Sequence, residues 1–449
     1  MKRRDFIKIS GAAAAGAALG CTPRKEKAAE KAEQSPEEMV YRTNPRNGDK
    51  VSLLGYGCMR WPMVKDASGK DVIDQETVNN LVDYAMAHGI NYYDTSPAYL
   101  QGQSELAAGI ALSRYPRDSY YIATKLSNFG DNSKEASLRM YRDSFEQLRT
   151  DYFDYYLLHS IGRGGKDAFN HRYVENGLVD FLRKEKEAGR IRNLGFSFHG
   201  AKHEFDYFMD LYDSGELPWD FVQIEMNYVD WKHADGVRNV NADYLYEELD
   251  KRELPIVIME PLLGGRLANV PEGIASQLKA REPEMSVASW AFRFCGTYPR
   301  VLCALSGMTS MDPLMDNVKT FTHFKPLTEE ELAFLERMAT QMKEYPLVNC
   351  TNCKYCMPCP WGIDIPGIFQ HYNKSVTEGT YAQSREQEDY RKLKRAYLVS
   401  YDRAVPTVRQ ADHCISCGEC LSHCPQSIPI PRELQRIAGY VEKLRQDTV

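Results

Sequence analysis

No uninterrupted apolar run in these 449 residues approaches the ~18–20 residues that a membrane-spanning helix needs, and the mean hydropathy is −0.50. A basic excess is also missing. Lys and Arg number 56 against 62 Asp and Glu, for a net charge of −6, so the electrostatic footprint of a nucleic-acid binder is absent. Glycine (30) and proline (22) stand at ordinary levels, which excludes collagen-like and low-complexity chains. Cysteine is nearly absent from the first 349 residues, where only Cys21, Cys58, Cys295 and Cys303 occur. The other eight of the twelve form two tight groups after that point. Disulfide frameworks belong to small secreted domains, whereas this chain is long enough to bury a large core. Clustered thiolates with two-residue gaps point instead to metal.

The second group reads Cys414-x2-Cys417-x2-Cys420-x3-Cys424-Pro425. This is the spacing of bacterial-type 4Fe–4S ferredoxins, in which the fourth cysteine serves the other cluster. The first group, Cys350-x2-Cys353-x2-Cys356-x2-Cys359-Pro360, has a last gap one residue shorter. Crossed ligation follows: Cys350, Cys353, Cys356 and Cys424 on one cluster, and Cys414, Cys417, Cys420 and Cys359 on the other. Structural zinc is the competing reading, but it uses four ligands, usually as two separated pairs. Two full quartets, each closed by Cys-Pro, argue against it. Cys58, Cys295 and Cys303 read as small buried hydrophobes.

The N-terminus is an address. Met1-Lys-Arg3-Arg4-Asp-Phe-Ile-Lys8 resembles a twin-arginine export signal. The Ala- and Gly-rich stretch from Ile9 to Gly20 suits a signal core better than a spanning helix. Ala18-Leu19-Gly20-Cys21 resembles a lipobox, which makes Cys21 a lipid-anchor candidate; an ordinary cleavage site is the alternative. Residues 1–21 are therefore assigned to the signal, and 22–45, which open on a run of Lys, Glu and Ala, to a solvated tether.

From Val51 onward, short β-branched or aromatic runs alternate with amphipathic segments, as in parallel βαβ units. Strands are expected at Leu54–Cys58, Ile90–Asp94, Tyr120–Lys125, Phe153–His159, Ile191–Ser197, Phe221–Asn227, Pro255–Glu260 and Arg300–Ser306. Helices are expected at 74–88, 133–149, 174–188, 240–253, 284–295 and 312–320. Eight such units close into a (β/α)8 TIM barrel, an α/β fold assigned here to residues 46–325. An open doubly wound sheet would usually bring a Gly-rich turn after the first strand; Gly55-Tyr-Gly57-Cys58 lacks its third glycine. A linking helix at 326–345, capped by Thr328 with Glu331, leads to a small, mainly helical ferredoxin-like iron–sulfur domain at 346–449.

In such barrels chemistry sits at the C-terminal ends of the strands. The second strand ends at Asp94 with Tyr99 five residues on, the third at Lys125 and the fourth at His159. Each alone reads as a cap or as packing. Together they suit carbonyl reduction. A phenol is a reluctant acid at neutral pH. An ammonium stabilises its anion, so Lys125 is expected to lower the pKa of Tyr99. Asp94 pairs with Lys125, and His159 orients the substrate oxygen.

The segments Asn91–Glu105, Ala123–Lys125 and Leu157–His159 resemble the aldo/keto reductase family over roughly residues 50–325. The resemblance implies that Asp94, Tyr99, Lys125 and His159 form a catalytic tetrad, with Tyr99 as the general acid/base. It also implies a nicotinamide dinucleotide extended over the barrel top. The implied contacts are Ser197, Gln223 and Asn227 near the nicotinamide, then Glu260, Leu262, Gly264 and Gly265 at the pyrophosphate. Ser306, Gly307, Met308, Asp316 and Asn317 follow at the adenosine end. Ser306 to Asn317 holds no Lys or Arg, which leaves NADP or NAD open. The run Cys356-Met-Pro-Cys-Pro-Trp-Gly-Ile-Asp-Ile-Pro366 resembles the ferredoxin tail of a subgroup of that family.

The leading reading is an exported NAD(P)-dependent oxidoreductase. It acts on a small carbonyl or alcohol, coupled through two 4Fe–4S clusters to a one-electron carrier. Its partners include the twin-arginine machinery and exclude nucleic acid. It meets the membrane only through a lipid anchor at Cys21. The expected location is the cell envelope on the periplasmic side, with a cytoplasmic protein as the alternative. A second reading is an exported iron–sulfur electron-transfer or binding protein whose barrel is not an active reductase.

Overall fold

The computed structural model describes residues 38–234 and 239–449. Arg3, Arg4 and Cys21, and most of the tether, lie outside the described residues. Among the described residues no helix is long and apolar enough to cross a membrane.

Eight parallel strands close the barrel: β1 (Leu54–Gly57), β2 (Tyr92–Asp94), β3 (Tyr121–Leu126), β4 (Phe153–Ile161), β5 (Ile191–Phe198), β6 (Phe221–Glu225), β7 (Ile256–Met259) and β8 (Val301–Ser306). Each pairs with its neighbour in sequence, and β8 pairs back onto β1. Their near-continuous apolar runs are what a sheet packed on both faces requires. Inside the ring, Tyr92, Tyr155, Leu157, Phe221 and Leu302 fill the barrel. Below it, a hairpin pairing Tyr41–Thr43 with Lys50–Ser52 closes the floor. There Asn44 Nδ2 donates to the Tyr155 hydroxyl at 3.3 Å. The sequence reading passed over this hairpin because its strands are only three residues long.

The six expected helices all form: α1 (Gln75–Ala87), α3 (Lys134–Leu148), α4 (Leu178–Glu187), α6 (Ala242–Lys251), α7 (Val287–Thr297) and α8 (Met311–Thr322). Asp74 and Ser133 cap α1 and α3 through their side chains. Among the helices that the sequence reading does not include are α2 (Ser104–Leu112), α5 (Lys202–Asp213) and a further one at Glu272–Arg281. In α2 the apolar stripe is masked because nearly every residue is small or buried, Glu105 included. Gly109 lets α2 approach α3 closely, since a Cβ there would meet the Gln147 carbonyl oxygen.

Glu105 accepts from Thr124 Oγ1 at 2.5 Å and from Ser144 Oγ at 3.2 Å. Burial nevertheless pushes its carboxyl up to about 7. A carboxyl that folds with a raised pKa contributes stability below its ordinary range and loses it as pH climbs through about 7. Glu105→Gln is therefore expected to raise the Tm at pH 8, by an effect on the order of 2 kcal/mol, and to change it little at pH 4.5. Equal Tm differences at both pH values would contradict this.

Helix α9 (Glu329–Met342) carries the expected capping box of Thr328 and Glu331. Beyond it the iron–sulfur region builds a separate core from α10 (Ile365–Thr377), α11 (Tyr390–Ala404) and α12 (Ile430–Gln446). Cys58, Cys295 and Cys303 are fully buried in the barrel.

Candidate active site

The ends of β2, β3 and β4 bring the four expected residues together. Lys125 Nζ donates to Asp94 Oδ1 at 2.5 Å and to the Thr95 carbonyl at 2.8 Å. Both side chains of the pair are buried. Gln223 Nε2 donates to the other Asp94 oxygen at 3.0 Å. A buried amine persists only with such partners. The ammonium stands 4.9 Å from the centre of the Tyr99 ring. The Tyr99 and His159 rings meet edge to face at 5.8 Å.

The electrostatics correct one expectation. The Tyr99 phenol is raised well above its ordinary value, first by burial and then by the Asp94 charge. Burial, together with the Asp94 charge, outweighs the nearby ammonium of Lys125. Tyr99 is thus held protonated, as a proton donor must be. Burial, followed by the charge of Lys125, lowers His159 well below the usual imidazole range, so the ring is neutral. Its Nδ1 lies 2.6 Å from Ser127 Oγ. A Ser127 hydroxyl that donates there leaves Nε2 to carry the ring proton.

Beside Asp94 and Tyr99 runs a groove of about 180 Å3. Gln223, Glu260, Leu262, Gly264, Gly265, Ser306 and Gly307 line it. Seven of the expected dinucleotide contacts thus share one groove with Asp94 and Tyr99. Gly265, at φ +94°, has open space where a Cβ would stand. Gly264 is engaged already, because its N–H donates to Glu260 Oε2 at 2.5 Å. Ser197, Asn227, Met308, Asp316 and Asn317 do not line the groove. Ser197 Oγ accepts from the Ser160 N–H at 2.7 Å. Asn227 Nδ2 donates to Asp230 Oδ2 at 2.7 Å and to the Glu260 carbonyl at 3.2 Å. Met308 is buried, with its carbonyl accepting from the Tyr56 hydroxyl at 2.6 Å. Asn317 Nδ2 donates to Ser306 Oγ at 3.0 Å. These four brace the loops that carry the groove. Arg60, which the sequence reading missed, lines it and is the only Lys or Arg among the described residues that do.

The iron–sulfur region packs onto this mouth. Arg60 donates to the Thr351 carbonyl, and Thr351 covers the face of Gly264. Gln426 Nε2 reaches both Glu225 oxygens at 3.0 Å. Arg266 Nη1 donates to Asn349 Oδ1 at 2.9 Å. A second cavity of about 860 Å3 lies between the two regions, lined by Phe129, Arg163, Arg172, Tyr355 and Cys424 among others.

The cysteines fall into two sets of neighbours. Burial raises the Cys350, Cys353 and Cys356 thiols, and each also feels Cys424. Burial brings Cys420 to about 11, with contributions from Cys414, Cys417 and Cys359. These neighbours coincide in membership with the two expected quartets. Among the described residues no group of three His, Cys, Asp or Glu is placed to hold a single metal ion. Each set of neighbours supplies four thiols, the donor number that a 4Fe–4S cluster takes.

Comparison with known proteins agrees with this geometry. The aldo/keto reductase family model matches residues 53–339. A 4Fe-4S dicluster domain matches residues 349–428, and a twin-arginine translocation pathway signal sequence matches residues 1–20. The chain is 25% identical over 318 residues to L-galactose dehydrogenase of Arabidopsis thaliana, covering 66% of this chain and 93% of that protein. It is 26% identical over 360 residues to protein tas of Escherichia coli, covering 69% and 99%. Among solved structures, an aldo-keto reductase from Klebsiella pneumoniae in complex with NADPH superposes with a TM-score of 0.52 at 22% identity. That match covers 67% of this chain and 95% of the other.

Proposed function

The chain belongs to the aldo/keto reductase family, and from that premise we propose that the buried tetrad performs carbonyl reduction or the reverse alcohol oxidation. The observation that carries this is the Asp94–Lys125–Tyr99–His159 arrangement, with a protonated phenol facing the cofactor groove. Tyr99 gives its proton to the carbonyl oxygen. Lys125 sits over the ring to stabilise the phenolate that results, and Asp94 fixes Lys125. Neutral His159 donates from Nε2 to the same oxygen and sets its direction. Gln223, Glu260, Leu262, Gly264, Gly265, Ser306 and Gly307 would hold a nicotinamide dinucleotide, which when bound supplies the hydride. Arg60 is the one cation among the described residues of the groove and gives the 2′-phosphate of NADP no cluster of basic partners, so either dinucleotide suits it.

The eight clustered cysteines form the crossed quartets described above and carry two 4Fe–4S clusters, each moving one electron. Two clusters match the two electrons of one hydride, and a one-electron carrier is their outlet. A specific observation favours a second reading. Glu260 and Thr351 already occupy the Gly264 backbone that a pyrophosphate would use, as in a protein whose barrel only supports its clusters.

The twin-arginine signal directs the chain to the export machinery. Replacing Arg3 and Arg4 by lysine is expected to retain the protein in the cytoplasm, as read by fractionation. An unchanged envelope location would refute the leader. Cys21 is the proposed lipid anchor, and Cys21→Ser is expected to move the exported protein into the soluble fraction.

A further inference from the structure

Tyr355 belongs to the iron–sulfur region, between Cys353 and Cys356, yet its ring stands at the barrel's chemistry. It lies 6.5 Å from the His159 ring and 6.2 Å from that of Phe129, which itself packs on His159 at 4.9 Å. It also lines the 860 Å3 cavity between the two regions. Cluster ligation does not call for an aromatic there. The equivalent gap of the second group, Cys417 to Cys420, holds Gly418 and an exposed Glu419. The two groups also differ in setting, since Cys350 is buried and Cys417 exposed.

We propose that Tyr355 is a specificity-determining residue that walls the substrate pocket beside His159, so that the first cysteine group, and not the second, adjoins the substrate. The substrate class this selects is a carbonyl or alcohol borne on a ring or similarly broad apolar body, lying against Tyr355 and Phe129. This rests on the reductase reading above.

The test compares 4-nitrobenzaldehyde with methylglyoxal in iron-replete holoprotein. Tyr355→Ala is expected to raise KM for the aromatic aldehyde by ~10- to 100-fold, the range of an apolar pocket contact. The KM for methylglyoxal should stay within about twofold, and kcat for both should be retained. An unchanged KM for 4-nitrobenzaldehyde would overturn the proposal. If Tyr355→Ala loses iron, Tyr355→Leu takes its place, with a smaller KM rise for 4-nitrobenzaldehyde expected because it removes the ring face and keeps most of the bulk. Iron loss in both would make Tyr355 a cluster-assembly residue and also overturn the proposal. Calorimetric binding of 4-nitrobenzaldehyde to Tyr99→Phe protein, with and without Tyr355→Ala, separates this inference from the reductase reading. Binding that needs Tyr355 in a protein whose parent never turns over would sink the reductase reading alone. Turnover with binding indifferent to Tyr355 would sink this inference alone.

Discussion

Tyr99→Phe is expected to lower carbonyl reduction by ~10²–10⁴-fold, the usual worth of a positioned proton donor. The substitution removes one oxygen and keeps the ring, so the edge-to-face contact with His159 survives. The hydroxyl makes no hydrogen bond within the described residues, so folding stability should barely change. Dinucleotide affinity should also hold, because the groove's other walls are untouched. Lys125→Met should show a comparable rate loss with a different signature. It strands Asp94 in a buried site without its cation, and breaking a buried pair costs ~3–5 kcal/mol. The variant should therefore melt earlier, and its pH optimum should move. Single-turnover kinetics with an activated aldehyde, alongside thermal melts, separates the two. Parent-like rates in Tyr99→Phe would refute the tetrad and favour the clusters as the sole working part.

The second large effect concerns the cysteines. Anaerobically prepared protein is expected to contain ~8 iron and ~8 acid-labile sulfide per chain. About four iron, or stoichiometric zinc, would refute the pair of clusters. In Cys424→Ala the damaged cluster should be the one held by Cys350, Cys353 and Cys356, although residue 424 follows the other three ligands in sequence. The reason is spatial, since Cys424 is the shared electrostatic neighbour of those three thiols. EPR on Cys424→Ala and Cys359→Ala should show complementary losses. Loss of the same cluster in both would contradict crossed ligation.

Most of the barrel could be read from sequence because its signals are local and repeated. An apolar strand, a turn and an amphipathic helix recur, and three of the four proposed catalytic residues, Asp94, Lys125 and His159, stand at or near strand ends. What escaped lacked such a signal. Helix α2 is made of small and buried residues, so it has no polar face to set its period. The dinucleotide contacts were transferred by resemblance, and here the structure divides them. Gln223 and the Glu260–Gly265 loop reach the groove, whereas Ser197, Asn227 and Asn317 serve as braces. The upward shift of the Tyr99 phenol was not legible because sequence shows which charge is near but not the burial that outweighs it. Tyr355 had no signal at all, since its role comes from the packing of the iron–sulfur region on the barrel mouth. That packing joins residues almost 200 apart.

The central claim is that this barrel performs hydride chemistry while carrying two clusters. It is tested most directly by following deuterium from C4-deuterated NADPH or NADH into the product of 4-nitrobenzaldehyde reduction, using the eight-iron protein under anaerobic conditions. The account predicts one deuterium on the carbinol carbon, and almost none with Tyr99→Phe over the same interval. Product that forms without deuterium, driven by chemically reduced protein alone, would contradict it.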